Sequence, residues 1–215
     1  MMVIRPVLAG ILLALPPYAA RTLVDDYDLA RILTAVTGLG LLWGTTVLLT
    51  ATATATRRQA IITATALLIT AAVTYHLLIL LAGDTRTGPG VAPVLWLAGP
   101  VLGALGHTIR HGDPRQAASA AGIGCGLLAS EGGTLLIIDP PAELMEFFER
   151  GASEFYGPLH PADLIGLILP LLLLAVLATR HSLWKHGAVL LFTAATTTVG
   201  ATLLWLFLLV VASHR

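Results

Sequence analysis

Apolar residues fall into seven long runs, at roughly 3–20, 29–53, 59–82, 92–110, 115–138, 162–180 and 187–212. Between them Arg, Asp, Glu, Gly and Pro collect in short stretches. Most runs hold about 18–25 residues, enough at about 1.5 Å rise per residue to cross about 30 Å of hydrocarbon. The pattern predicts an all-α polytopic membrane protein, a seven-helix transmembrane bundle forming one domain over residues 1–215. Gly83, the TGPG of 87–90 and Pro140-Pro141 mark helix ends. The stretch TATATAT (50–56) alternates with period two, which in water would suggest a strand. Here it closes an apolar run at Arg57-Arg58, and an open strand in lipid would leave backbone groups unpaired, so it reads as a helix end. The first run follows Arg5 and ends in PPYAA, a form shared with cleavable signal peptides. Six further spans follow it, and an uncleaved first helix serves them equally well.

Composition supports the same class. The chain is 56% hydrophobic and 11% charged, where soluble domains carry about 25% charged residues. Mean hydropathy is +0.86. Net formal charge is zero, so no global basic field points to nucleic acid, and the expected surroundings are a lipid bilayer. The bias to Arg, Ala, Gly and Pro fits a high-GC bacterial coding sequence, and hence a bacterial cytoplasmic membrane. Cys125 is the only cysteine, which excludes an internal disulfide and a thiolate cluster; in GIGCG it reads as a small packing residue.

The basic residues orient the bundle. Arg5, Arg57, Arg58, Arg110, Arg115, Arg180 and Lys185 fall in loops on the N-terminal side, against Arg21, Arg31, Arg86, Arg150 and Arg215 on the other. Basic residues favour the cytoplasmic side, so the N-terminus is expected inside and the C-terminus outside. The long acidic loop 139–161 then faces out. Within it PAELMEFFER begins with Pro at a favoured helix-start position and separates Leu144, Phe147 and Phe148 from most of its glutamates. A short interfacial helix between the fifth and sixth spans is expected there, serving as a connector or as a lid.

Polar groups within the apolar runs are the candidate chemistry. A charge at bilayer depth costs about 2.5–3.5 kcal/mol even on the lenient insertion scale. Glu131, in LLASEGG, lies sixteen residues after Arg115 and eight before Asp139, or about 12 Å from the outer end. It should face protein or trapped water. In the same helix Ala118, Gly122, Gly126, Ala129 and Gly133 share one face, and Gly122–Gly126 is a small-xxx-small pair. Glu131 lies nearly opposite, with Ala120, Gly124 and Leu127. With both faces covered, this fifth helix belongs inside the bundle. In the fourth run Trp96, Pro100, Gly103, His107 and Arg110 fall within about 40° of one direction and suggest an interior wall. In the third run His76 lies seven residues inward of Gly83, about 10 Å by rise and close to the depth of Glu131. A His76–Glu131 hydrogen bond across the third and fifth helices is one reading of that match, which fixes depth and not azimuth. Structural readings stand beside it: Glu131 and His107 as satisfied groups, His76 as a packing residue, and Trp96 and Trp205 as interface anchors.

Other motifs fall away. Asp25-Asp26-Tyr27-Asp28 resembles a magnesium clamp for diphosphates but faces out and lacks a second acidic cluster at depth. His107 and His111 could share a metal at i,i+4 spacing, but no third ligand is evident, so no metal and no cofactor is expected. Lys185 lies in an inner loop, which removes the Schiff-base lysine of a retinal pump. There is no Walker loop, HExxH, GxSxG or prenylation box.

VLWLAGPVLGALG (94–106), a basic turn and then LLASEGG (127–133), together with TYH at 74–76, resemble an uncharacterised family of small multi-pass membrane proteins of high-GC bacteria. The resemblance covers about residues 60–133. It implies that Trp96, Gly99, Gly103 and Glu131 matter together, and brings no chemistry with it.

Three functional expectations follow. The first is binding or transport of a small solute, cation or amphiphile through an outward-opening pocket of the third, fourth and fifth helices, with Glu131, His76, Trp96 and His107 as its binding residues. A homo-oligomer would supply the paired halves that 215 residues lack. The second is an intramembrane enzyme acting on a lipid-like, isoprenoid substrate, with Glu131 as the catalytic general acid. The third is an accessory subunit whose polar groups only fix helix register.

Overall fold

The computed structural model describes residues 4–22, 39–83, 92–138 and 161–213. Those residues form seven α-helices and one short 3-10 turn, with no strand among them. We number the helices α1 (Ile4–Thr22), α2 (Leu39–Thr52), α3 (Arg57–Leu81), α4 (Ala92–His111), α5 (Pro114–Ile138), α6 (Pro161–Arg180) and α7 (Gly187–Ser213); the 3-10 turn is Leu183–His186. The predicted helix in the acidic loop and the Asp25–Asp28 cluster lie outside the described residues, as does the stretch 29–38 of the second apolar run.

Local signals explain most helix ends. TATATAT is a helix end and not a strand: α2 stops at Thr52, and Thr56 caps α3 by accepting the Gln59 N–H at 3.2 Å. Asp113 caps α5, its Oδ1 accepting the N–H groups of Arg115 (3.0 Å) and Gln116 (2.9 Å), with Pro114 at the first helical position. Gly83 closes α3 in the left-handed region at φ +80°, where its N–H reaches the Leu80 carbonyl. The last carbonyls of α2 would be orphaned; Arg110 of α4 donates from Nη1 to the Thr52 carbonyl at 3.2 Å and places a cation at that helix end.

Glycines set how the helices run. Cβ atoms added at Gly99 and Gly103 of α4 would lie 2.8 Å from the backbone of Thr65 and of Ala60, so α4 runs antiparallel to α3 at close approach. Gly106 rests on Leu48, Ala51 and Thr52, and Gly44 lies near Leu102, so α2 and α4 run parallel. Gly44 packs on Leu128 and Gly124 on Leu48, an antiparallel α2–α5 pair. Gly122 meets Leu190 and Thr193, Gly126 meets Ala194 and Thr197, and Thr202 donates to the Ser130 carbonyl at 3.4 Å, so α5 and α7 run parallel. The C-terminal ends of α2 and α4 and the N-terminal ends of α3, α5 and α7 therefore share one end of the molecule.

The core follows. α5 is central: from Ala117 to Ser130 every side chain except Ser119, Ile123 and Leu127 is buried. Its small residues let four neighbouring helices approach, as close packing without large side chains requires. Trp43 of α2 is fully buried, donates from Nε1 to the Leu13 carbonyl at 3.0 Å and meets the Tyr75 ring edge-on at 6.0 Å, joining α1, α2 and α3. Threonine hydroxyls turn back onto their own helices: Thr46 to Leu42, Thr50 to Thr46, Thr108 to Ala104 and Thr198 to Ala194.

Large apolar side chains point outward. Leu12, Leu77, Leu97, Leu171, Phe192 and Phe207 are all exposed, several of them in mid-helix. Two of the described helical stretches are long and apolar enough to cross a membrane, Arg57–Leu81 and Leu183–Leu204, and only 33% and 17% of their apolar windows are buried. That low burial distinguishes them from the core helices of a water-soluble protein.

Candidate functional site

Glu131 lies in α5, seventeen residues after its start and seven before its end, and Trp96 lies in the second turn of α4. Their side chains are outside the described residues, as is that of Trp205. The turn just before Glu131 is packed on two sides. Leu128 lies under Gly44 of α2, and the Ser130 carbonyl receives the Thr202 hydroxyl of α7. The small face of α5 meets α7 through Gly122 and Gly126, as its spacing predicts, and the opposite row meets α2 through Gly124.

His76 is half-buried on α3 with its ring 6.1 Å from that of Tyr75, tilted by 46°. Tyr75 is turned inward to Trp43, so the two neighbouring rings serve different surroundings. His76 Nδ1 is buried with no hydrogen-bond partner among the described residues. Among those residues α3 and α5 share no face, because α2 and α4 stand between them. His76 and the turn before Glu131 are linked through α2, where Trp43 touches Tyr75 and the next residue, Gly44, touches Leu128. Among the described residues α3 and α5 thus meet only by way of other helices.

His107 sits at the other end of the α3–α4 pair. The antiparallel register set by Gly99 on Thr65 and Gly103 on Ile61 brings it level with the first turn of α3. His76 is nineteen residues further along α3, about 28 Å by rise. The predicted binding residues His76 and His107 therefore belong to opposite ends. His107 stacks on His111, ring centroids 4.3 Å apart and 21° from parallel, and His111 Nδ1 lies 3.2 Å from the His107 carbonyl. Stacked rings direct their nitrogens past one another rather than onto a common ion. No group of three His, Cys, Asp or Glu suited to a metal occurs among the described residues. His107 Nδ1, like that of His76, is buried without a partner.

Of the stripe expected to form an interior wall on α4, Gly103 lies in a packed seam, with Gly99 one turn before it. Gly99 and Gly103 press on the α3 backbone, and Arg110 at its foot is exposed apart from its bond to Thr52. Two features escaped the sequence. Thr65 Oγ1 is a third buried polar atom without a partner, covered by the Gly99 backbone. A threonine in an apolar helix commonly bonds its own backbone, so nothing in the sequence separates Thr65 from the others. The second is an open cleft of about 470 Å³ between α4 and α5 at the basic end, lined by Thr108, Asp113, Arg115, Gln116 and Ser119 and, further along both helices, by Leu105 and Ile123. The i, i+4, i+8 series Arg115–Ser119–Ile123, running from charged to apolar, is the signal that could have found it.

At the same end His181 follows α6. Burial first, then the charges of Arg180 and Arg110, holds its pKa below the ordinary histidine value. Compared with family models, with curated proteins and with solved structures, the chain matches none.

Proposed function

We propose that this is a multi-pass integral membrane protein of the bacterial cytoplasmic membrane, N-terminus inside, that binds or transports a small solute, cation or amphiphile. Supporting the membrane reading are the outward large apolar side chains, the low burial of the two most apolar helices and the gathering of Arg57, Arg58, Arg110, Arg115 and Lys185 at one end. In water, apolar exposure on this scale would drive association. In lipid it is the ordinary outer surface of a helical bundle.

The observation that carries the binding reading is where unmet polar atoms lie. The three buried side-chain atoms without a described partner, on Thr65, His76 and His107, all belong to α3 and α4 and stand at three depths. A buried polar atom without a partner costs about 1–3 kcal/mol, and its persistence calls for a role. Glu131 on α5 supplies the ionisable group, since intramembrane carboxyls mark ion and substrate paths. A second reading, an accessory subunit, draws on the glycine seams, which fill the inner halves of α2, α3, α4, α5 and α7 with backbone and small side chains.

The experiment is a thermal-shift panel of monovalent cations, small polar solutes and lipid-like amphiphiles on the purified protein, with Glu131→Gln and His76→Phe as variants. Binding predicts at least one compound that stabilises the parent and not the well-folded Glu131→Gln protein. If no compound shifts the parent and Glu131→Gln alters only assembly with other membrane proteins, the accessory reading replaces it.

A further inference from the structure

The basic end carries a site that the solute reading does not use. Asp113 is the only carboxylate among the described side chains. One of its oxygens, Oδ1, is occupied by two backbone N–H groups at the start of α5. Arg57, Arg58, Arg110, Arg115, Arg180 and Lys185 are all exposed, in the turns where α2 meets α3, α4 meets α5 and α6 meets α7. At this basic end lies an amphipathic cleft, lined by one of these cations, Arg115. At its polar end stand Arg115, Gln116 and Thr108 with Asp113, whose Oδ1 is turned to the α5 backbone; further along α4 and α5 stand Leu105 and Ile123. Donors and a cation at one end, with a hydrocarbon wall at the other, match a molecule that is anionic at one end and apolar at the other.

We infer that this cleft seats the headgroup of an anionic phospholipid of the inner leaflet, a reading that rests on the proposed membrane location. The phosphate would meet Arg115, with Gln116 and Ser119 as amide and hydroxyl donors, and the first methylenes would run along Leu105 and Ile123. A volume of about 470 Å³ is in the range of small-ligand sites and holds a phosphoglycerol group with the start of its chains, the rest lying in the bilayer. Basic clefts between helices at the cytoplasmic face attract such headgroups by charge. The polarity gradient makes this a seat for one lipid rather than a diffuse field.

The test uses the full-length protein in phosphatidylcholine mixed micelles, titrated with phosphatidylglycerol or with more phosphatidylcholine and read by native mass spectrometry and thermal shift. Phosphatidylglycerol is expected to bind and to raise the melting temperature; phosphatidylcholine and inorganic phosphate are not. Arg115→Glu should weaken phosphatidylglycerol binding by about tenfold or more, from the worth of a charge near an anionic headgroup. Arg115→Lys should restore most of it. Ser119→Phe, which fills the cleft without changing charge, should abolish it. Arg58→Glu, at the same end but outside the cleft, should leave it nearly unchanged. Equal binding of the two lipids, equal losses in Arg115→Glu and Arg58→Glu, or a full effect from inorganic phosphate would each overturn the site. Alkaline extraction of the parent from cell membranes separates the two failures. A protein that washes off refutes the membrane location itself, whereas one that stays but ignores phosphatidylglycerol refutes only the lipid seat.

Discussion

Two glycines four residues apart bring α5 against α7, and two glycines four residues apart bring α4 against α3. In the first seam, Gly122 and Gly126 face Leu190 to Thr197 in parallel; in the second, Gly99 and Gly103 face Thr65 to Ala60 in antiparallel. In the α5–α7 seam no described side-chain oxygen is buried without a partner. Thr193 donates to the carbonyls of Val189 and Leu190, and Thr202 donates across to Ser130. In the α3–α4 seam the buried Thr65 hydroxyl has no described partner, and the two imidazoles with unpartnered buried nitrogens sit on the same two helices. Close packing and polar satisfaction are thus separable. Glycine spacing secures the first in both seams, while the second depends on what lies across the contact. The α5–α7 seam behaves as scaffold. The α3–α4 pair retains unmet hydrogen-bonding capacity, the condition in which a ligand gains most from binding.

The sharpest way to break this contrast is to overfill each seam. At Gly122 a Cβ would coincide with the Thr193 hydroxyl and stand 2.5 Å from the Leu190 carbonyl. Gly122→Val should therefore cost about 3 kcal/mol or more, read as a lowered melting temperature in detergent. At Gly99 the added atom meets the Thr65 backbone at 2.8 Å, so Gly99→Ala should cost less, about 1–3 kcal/mol. A reversed order would mean that the α3–α4 pair, not α5–α7, is the scaffold.

Removing hydroxyls sharpens the same point at smaller amplitude. Thr202→Val should destabilise by about 1 kcal/mol, since it deletes a bond between helices. Thr65→Val should be neutral or slightly stabilising, because the atom it removes has no partner. Denaturant titration of the two variants gives the comparison directly, and equal losses would show that Thr65 is bonded after all.

The smallest effect concerns pH. The folded pKa of His181 lies below its unfolded value near 6.5. The unfolded chain therefore binds more protons as pH falls through that range, and stability is full above about 6.5 and declines below it. Solvent screens this partly exposed ring, so the decline is slight. His181→Asn should flatten the slope of melting temperature against pH between about 5 and 7. An unchanged slope would assign the dependence to another histidine at that end.

Much of the architecture was legible in the chain because its signals are local. Pro114 after Asp113, Gly83 beyond Leu81 and Thr56 before Arg57 act within a turn, so helix limits fall within a few residues of the apolar runs. The small face of α5 was legible for the same reason: spacing at 100° per residue decides which side chains share a side. The candidate site was much less so. His76 and Glu131 agreed in depth, yet α2 and α4 separate their helices among the described residues, and depth along a helix carries no information on which helices are neighbours. On α4 the predicted stripe includes Gly103, which lies in a glycine seam against α3, and a small residue serves close packing and an open cavity equally well.

By itself the amino-acid order determined that the described residues are helical, where most of the described helices start and stop, and the side of α5 that needs a close partner. These follow from hydrogen bonding and periodicity within a few residues. Only the tertiary structure decided that the partner is α7, that α5 lies at the centre, that Thr65 Oγ1, His76 Nδ1 and His107 Nδ1 are buried without partners among the described residues, and that a polar-to-apolar cleft opens beside Arg115. Those outcomes depend on which helices meet and at what rotation, quantities set by the packing of the whole bundle at once.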